Sequence, residues 1–142
     1  MKNKPSLPNL DLGFLTEKKV QSKLIENGFS TFDPLDEGGT VDLLSYKKNI
    51  FNRLQIKTGI YDSKTDRFKI SLLRTRHQRY DYKDFEFIIG YLYEVDTFYV
   101  LPVSILKDQQ VINVYPHRDR LFIKKGTIDY EMYKDKFHLL ED

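Results

Sequence analysis

The residues whose types and spacing can do chemistry lie in two short runs, Thr40-Val41-Asp42-Leu43 and Leu54-Gln55-Ile56-Lys57. A carboxylate, an amide and an ammonium brought together are the parts of a hydrolytic metal centre. Mg²⁺ takes oxygen ligands: one or two carboxylates, a carbonyl and several waters. Asp42 can supply a carboxylate, Gln55 a side-chain carbonyl and Ile56 a backbone carbonyl, and Glu17 can add a second acid. The metal, Mg²⁺ with Mn²⁺ as a substitute, lowers the pKa of a bound water and stabilises charge on a phosphate under attack. Lys57 can orient that water or neutralise the developing charge. The reaction these parts assemble is hydrolysis of a phosphodiester.

Two strands and a helix must position them. Thr40–Tyr46 and Ile50–Thr58 read as strands joined near Lys47-Lys48-Asn49, with Leu54 and Ile56 pointing one way and Gln55 and Lys57 the other. A two- or four-residue loop sets Asp42 across from Gln55, with Lys57 two residues further on the same face. A loop of three or five residues shifts the register by one and separates them. Residues 13–27 read as a helix that stops at Gly28, with Glu17, Val20 and Leu24 on one face. An acid in line with an apolar stripe is unusual. Either Glu17 sits at the stripe's edge and favours the helix N-terminus, or it serves the site. The plain alternative for the hairpin is a cross-strand Asp42–Lys57 ion pair on a wet face.

The bare spacing is common: Glu17-x-Lys19, Asp62-x-Lys64, Asp81-x-Lys83 and Gln21-x-Lys23 also fit. Context separates them. Positions i and i+2 do not share a helix face, and the runs at 62 and 81 lie in polar stretches without apolar alternation. Gly59-Ile60-Tyr61 spells the opening of the GIY-YIG signature, but Ile88-Ile89-Gly90 lies too far on and lacks the tyrosine. His77, His117 and His138 form no HNH arrangement, and no P-loop or dinucleotide glycine motif is present.

The runs Gly38-Gly39-Thr40-Val41-Asp42-Leu43-Leu44 and Arg53-Leu54-Gln55-Ile56-Lys57-Thr58 resemble the core of the PD-(D/E)xK nuclease superfamily. The closest likeness is to the branch in which glutamine replaces the second acid, known from a cyanobacterial group I intron homing endonuclease. That branch also begins with a helix bearing a Glu, here Glu17. The segments from Asp84 to Tyr91 and from Thr97 to Pro102 are similar to its later strands, so the resemblance spans roughly residues 12–105. It implies Glu17 and Asp42 as metal-site acids, Gln55 at the usual acid position and Lys57 as catalytic lysine. It also implies a restriction-endonuclease-like core of the α/β (α+β) class, an N-terminal helix then a mixed central sheet (α-β-β-β-α-β) with flanking helices. Two departures stand out: Val41 replaces the proline before Asp42, and neutral Gln55 removes one negative charge from the metal site.

Composition sets the frame. The chain has 142 residues, the size of one domain; 40% are hydrophobic and 31% charged, with 10 Phe, 10 Tyr and no Cys. Disorder, a disulfide scaffold and a cysteine-based zinc site are excluded. No apolar run reaches the ~18–20 residues of a membrane helix, and no signal core opens the chain. The expectation is one soluble, intracellular domain over residues 11–142 after a flexible arm at 1–10, cytoplasmic or nucleoid-associated when on DNA.

Net charge is only +2, but residues 64–84 carry seven cations against three acids, a local +4. Lys64, Arg67 and Lys69 suit phosphate positioning. Arg74, Arg76, His77, Arg79 and Tyr80 are candidates for DNA contact, because arginine donates in a fork to phosphates and guanine edges. Uneven surface charge alone is the simpler reading of the same residues. Residues 60–66 read as a turn, 67–73 and the pair 85–93 and 97–103 as strands, and 129–140 as a C-terminal helix.

The function expected is a Mg²⁺-dependent DNA endonuclease of homing or restriction type. One site per chain implies a homodimer or higher assembly for a double-strand break. The alternatives are an inert DNA-binding module of the same fold, a structure-specific nuclease resembling Holliday-junction resolvases, and a purely structural domain.

Overall fold

The computed structural model describes residues 9–35, 39–73, 82–117 and 128–142. The first element is helix α1, Asn9–Glu26. Leu12, Thr16, Val20 and Leu24 recur every four residues and are all buried, so one stripe faces the sheet. The helix starts four residues before the expected Gly13. It ends at Gly28, whose φ of +86° is open to glycine at little cost. The Phe29 N–H reaches back to the Leu24 carbonyl and the Gly28 N–H to that of Ile25. These two bonds and the buried Leu24 and Phe29 side chains form a Schellman stop.

Eight strands follow among the described residues: β1 Ser30–Phe32, β2 Leu43–Lys47, β3 Ile50–Thr58, β4 Ile60–Asp62, β5 Arg67–Ser71, β6 Phe87–Leu92, β7 Thr97–Pro102 and β8 Val111–Val114. A five-stranded sheet runs β1-β2-β3-β6-β7, and a three-stranded sheet runs β4-β5-β8. Among the described residues, only β3 and β6 pair in parallel; every other ladder is antiparallel. The large sheet is therefore mixed, and the fold is α+β.

Both faces of the large sheet are covered. On one, Leu54, Ile56, Ile89 and Val100 pack with α1 and with Phe137 and Leu140. On the other, Ile88, Leu92, Tyr99 and Leu101 meet Phe68 and Ile70 of the small sheet. The sheets approach closely at Gly90, where an added Cβ would lie 2.6 Å from Ile70 Cδ1.

Two local expectations change. Residues 60–62 form a strand rather than a turn. Tyr61 points inward onto Phe68, ring centroids 5.1 Å apart, while Lys69 reaches Asp62 on the outer side at 3.4 Å. Alternation only three residues long reads as polar loop. The 129–140 segment forms two 3₁₀ turns, Tyr130–Tyr133 and Phe137–Glu141, rather than one helix. Between them Lys134 is extended, bridging to Tyr99, and Asp135 takes a left-handed φ of 55°. The β3-to-β6 crossover includes the β4-β5 hairpin, and its residues 74–81 lie outside the described residues. No helix among the described residues is long and apolar enough to cross a membrane.

Candidate active site

The β2-β3 turn decides whether Asp42, Gln55 and Lys57 meet. Lys48 and Asn49 form a two-residue loop with φ of 53° and 65°, the conformation of a type I′ turn. Leu43 then pairs with Leu54 and Lys47 with Ile50, the register that sets Asp42 beside Gln55. The regular ladder stops there: the Asp42 N–H bonds to the Leu54 carbonyl, one residue short of its partner. Upstream, the Thr40 hydroxyl donates to Asp84 Oδ2 at 3.2 Å and ties the approach to Asp42 onto the segment before β6.

The Asp42 carboxylate lies over β3. Its Oδ2 accepts from Gln55 Nε2 at 2.6 Å and from the Ile56 N–H at 2.8 Å. Burial pushes the Asp42 carboxyl above its usual range, although the Ile56 N–H and the Lys57 charge work the other way. Glu17 on α1 is raised as well, first by burial and then by repulsion from Asp42. Both acids are thereby made reluctant to ionise.

Gln55 is buried, and its orientation is fixed by chemistry. Nε2 must face Asp42, because the opposite placement would set two oxygens 2.6 Å apart. Its Oε1 is left buried with no hydrogen-bond partner. A buried carbonyl oxygen without a partner, on the amide that bonds Asp42, is a kind of oxygen that suits a hard cation. Among the described residues no group of three His, Cys, Asp or Glu side chains is placed to hold a metal ion. Ile56 gives its N–H to Asp42, and its carbonyl has Gln55 Nε2 at 3.5 Å.

Lys57 lies on the same face of β3 as Gln55. Burial lowers its pKa, against the pull of Asp42. Its Nζ donates to the Leu73 carbonyl at 2.7 Å. Sequence patterns held no hint of Leu73, since a main-chain acceptor leaves no mark in residue type.

The expected DNA contacts divide. Lys64 and Lys69 are exposed at the β4-β5 hairpin, and Arg67 is half-buried with an unpartnered Nε. Lys69 is also paired with Asp62. Arg74, Arg76, His77, Arg79 and Tyr80 lie outside the described residues.

The family model for PD-(D/E)XK endonucleases matches residues 9–121. This chain belongs to the PD-(D/E)XK endonuclease family. The match spans α1 and every strand, with Glu17, Asp42, Gln55 and Lys57 inside it. The solved structure of a bacterial homing endonuclease, I-Ssp6803I, superposes with a TM-score of 0.79 over 93% of each chain at 21% sequence identity. At that identity the likeness speaks for the fold, which is the one the Gln-x-Lys resemblance implied. No curated protein matches the chain.

Proposed function

We propose that this PD-(D/E)XK family member is a metal-dependent DNA endonuclease that works as a homodimer. The observation that carries the reading is the Gln55 amide, which gives its N–H to Asp42 and leaves its buried oxygen unpartnered. When bound, Mg²⁺ or Mn²⁺ supplies positive charge that acidifies water and stabilises the phosphate under attack. Asp42 and Glu17 hold the cation as carboxylates, Gln55 Oε1 completes the set as a neutral donor, and the Ile56 carbonyl adds a further oxygen. The Lys57 ammonium, half-buried and attracted by Asp42, orients the attacking water by donating to it. Lys64, Arg67 and Lys69, with Arg74, Arg76, His77, Arg79 and Tyr80 beyond, bind the DNA, the first three through its phosphates. One chain offers one site, so cutting both strands calls for a second copy.

The test is cleavage of mixed genomic DNA with Mg²⁺ or Mn²⁺, new 5′ ends being mapped by sequencing beside Lys57→Ala. Mixed DNA is needed because a rare cutter leaves a small plasmid intact. Ends that recur with wild type and vanish with Lys57→Ala are the expected result. Scattered ends that still need Lys57 indicate a nonspecific or structure-led nuclease, resolved by competition between branched and linear DNA. Absence of Lys57-dependent ends on both substrates overturns the reading in favour of an inert DNA-binding module.

A further inference from the structure

The apolar stripe of α1 contains one polar residue. Thr16 is 1% exposed, between Leu12 and Val20. Its hydroxyl lies 2.9 Å from the Leu12 carbonyl, 2.6 Å from the Thr58 hydroxyl and 3.3 Å from the Tyr93 hydroxyl. A hydroxyl carries one proton. With that proton directed to the Leu12 carbonyl, Thr58 is the donor in the short bond, and Thr16 receives it. Tyr93 is buried too, at 5% exposure, so this contact is shielded from water.

The position of the pair gives it a role. Thr16 precedes Glu17 in the helix, and Thr58 follows Lys57 in β3. Successive strand residues point to opposite faces, so Thr58 meets the helix while Lys57 stands on the face shared with Gln55. Leu12, Val20 and Leu24 hold α1 against the sheet, but apolar contacts accept small sliding movements. A 2.6 Å hydroxyl pair has one register. We propose that Thr16 and Thr58 are positioning residues, a part-buried clamp that sets the reach from Glu17 on the helix to Asp42 and Lys57 on the hairpin. The clamp rests on the metal-site reading above. Neither residue touches the reacting atoms, and neither carries charge.

The experiment measures Mn²⁺ binding to the full chain by calorimetry, without DNA and well below the melting temperature, beside cleavage kinetics. Thr58→Val and Thr16→Val each break the hydroxyl contact at nearly constant volume. Thr58→Ser keeps it. Asn52→Ala is the stability control, since Asn52 Nδ2 donates to the Leu140 carbonyl, also on the helix side of β3 but six residues away. The clamp expects the Mn²⁺ dissociation constant to rise roughly tenfold in both valine variants, the scale of one buried hydrogen bond. Thr58→Ser returns it to within about twofold, and Asn52→Ala lowers only the melting temperature. Wild-type affinity in Thr58→Val, or the same loss in Asn52→Ala, overturns the clamp while leaving the site standing. A wild-type protein that neither binds Mn²⁺ nor cleaves fails the metal-site reading itself, and the clamp falls with it. If the valine variants do not fold, Thr58→Ser against Thr58→Ala decides: equal Mn²⁺ binding by the two counts against the clamp.

Discussion

Asp42 and Gln55 share one short contact, and its polarity sets the behaviour of the metal-free protein. The amide donates to the carboxylate at 2.6 Å, so a neutral residue here relieves charge that an acid would add. Gln55→Glu replaces the donor with a second anion against Asp42, near Glu17. A lost buried hydrogen bond and a like-charge contact cost together ~1–3 kcal/mol, which for a chain of this size lowers the melting temperature by ~3–9 °C. The effect depends on pH, and the sign follows from Asp42 being raised above its ordinary value. Below the unfolded value both states hold the proton and the site costs nothing. As pH rises through the folded value, the folded protein must bury a charge that the unfolded chain exposes to water. Metal-free stability from this pair therefore falls with rising pH, and Gln55→Glu steepens the fall. Added Mg²⁺ returns more stability to the variant than to wild type, because it binds the folded state alone. Melting curves at pH 5 and pH 8, with and without Mg²⁺, measure all of this. Equal melting temperatures for the two proteins at pH 8 without metal would sink the account.

At the scale of the element, the β2-β3 hairpin shows what residue order reveals and what it hides. The register was legible because loop parity leaves few choices, and Ile50–Thr58 was legible because alternation persists over nine residues. The type I′ turn then holds two non-glycine residues at positive φ, Lys48 and Asn49. Asparagine accepts that conformation better than other side chains, and here its Oδ1 also accepts from the Tyr46 hydroxyl at 2.8 Å. Asn49→Ala costs ~1–2 kcal/mol and lowers the melting temperature by ~3–6 °C, whereas Asn49→Gly stays near wild type. A thermal melt in which alanine equals glycine would disprove the turn's role. Other features had no such signal. β4 is three residues long and faces water on one side, so its period never establishes itself. Thr16 read as an ordinary helix residue because its partner, Thr58, is 42 positions away. The orphaned Gln55 oxygen depends on a side-chain orientation that only Asp42, brought alongside, imposes.

Across the whole molecule the last fifteen residues bear on both points, because they bind the sheet where α1 does not reach. Their acids serve the structure as acceptors. Glu131 takes the Tyr99 hydroxyl at 2.5 Å and the Tyr115 N–H at 2.9 Å. Asp135 pairs with Phe98 through both groups, its N–H to the Phe98 carbonyl at 2.7 Å and its Oδ1 to the Phe98 N–H at 3.0 Å, in the manner of one more strand residue along β7. Glu141 holds Lys47 at 2.8 Å and Lys48 at 3.2 Å, which joins the chain end to the turn that sets the register. Surface pairs of this kind contribute little, because solvent screens them. Apolar burial stabilises the segment more: Phe137 and Leu140 are buried in the cluster that includes Leu24 and Leu54. Leu140→Ala opens a cavity there and costs ~2–4 kcal/mol, a drop of ~6–12 °C in melting temperature. Glu141→Gln moves it by ~2 °C or less. Leu140 stands on the side of the sheet away from Gln55 and Lys57, so Leu140→Ala cleaves at the wild-type rate per folded molecule at about 20 °C and fails only on warming. A variant that melts like wild type would show that the C-terminal segment is dispensable to the core. One that melts early and also loses cleavage in the cold would show that the segment reaches the site as well as the fold.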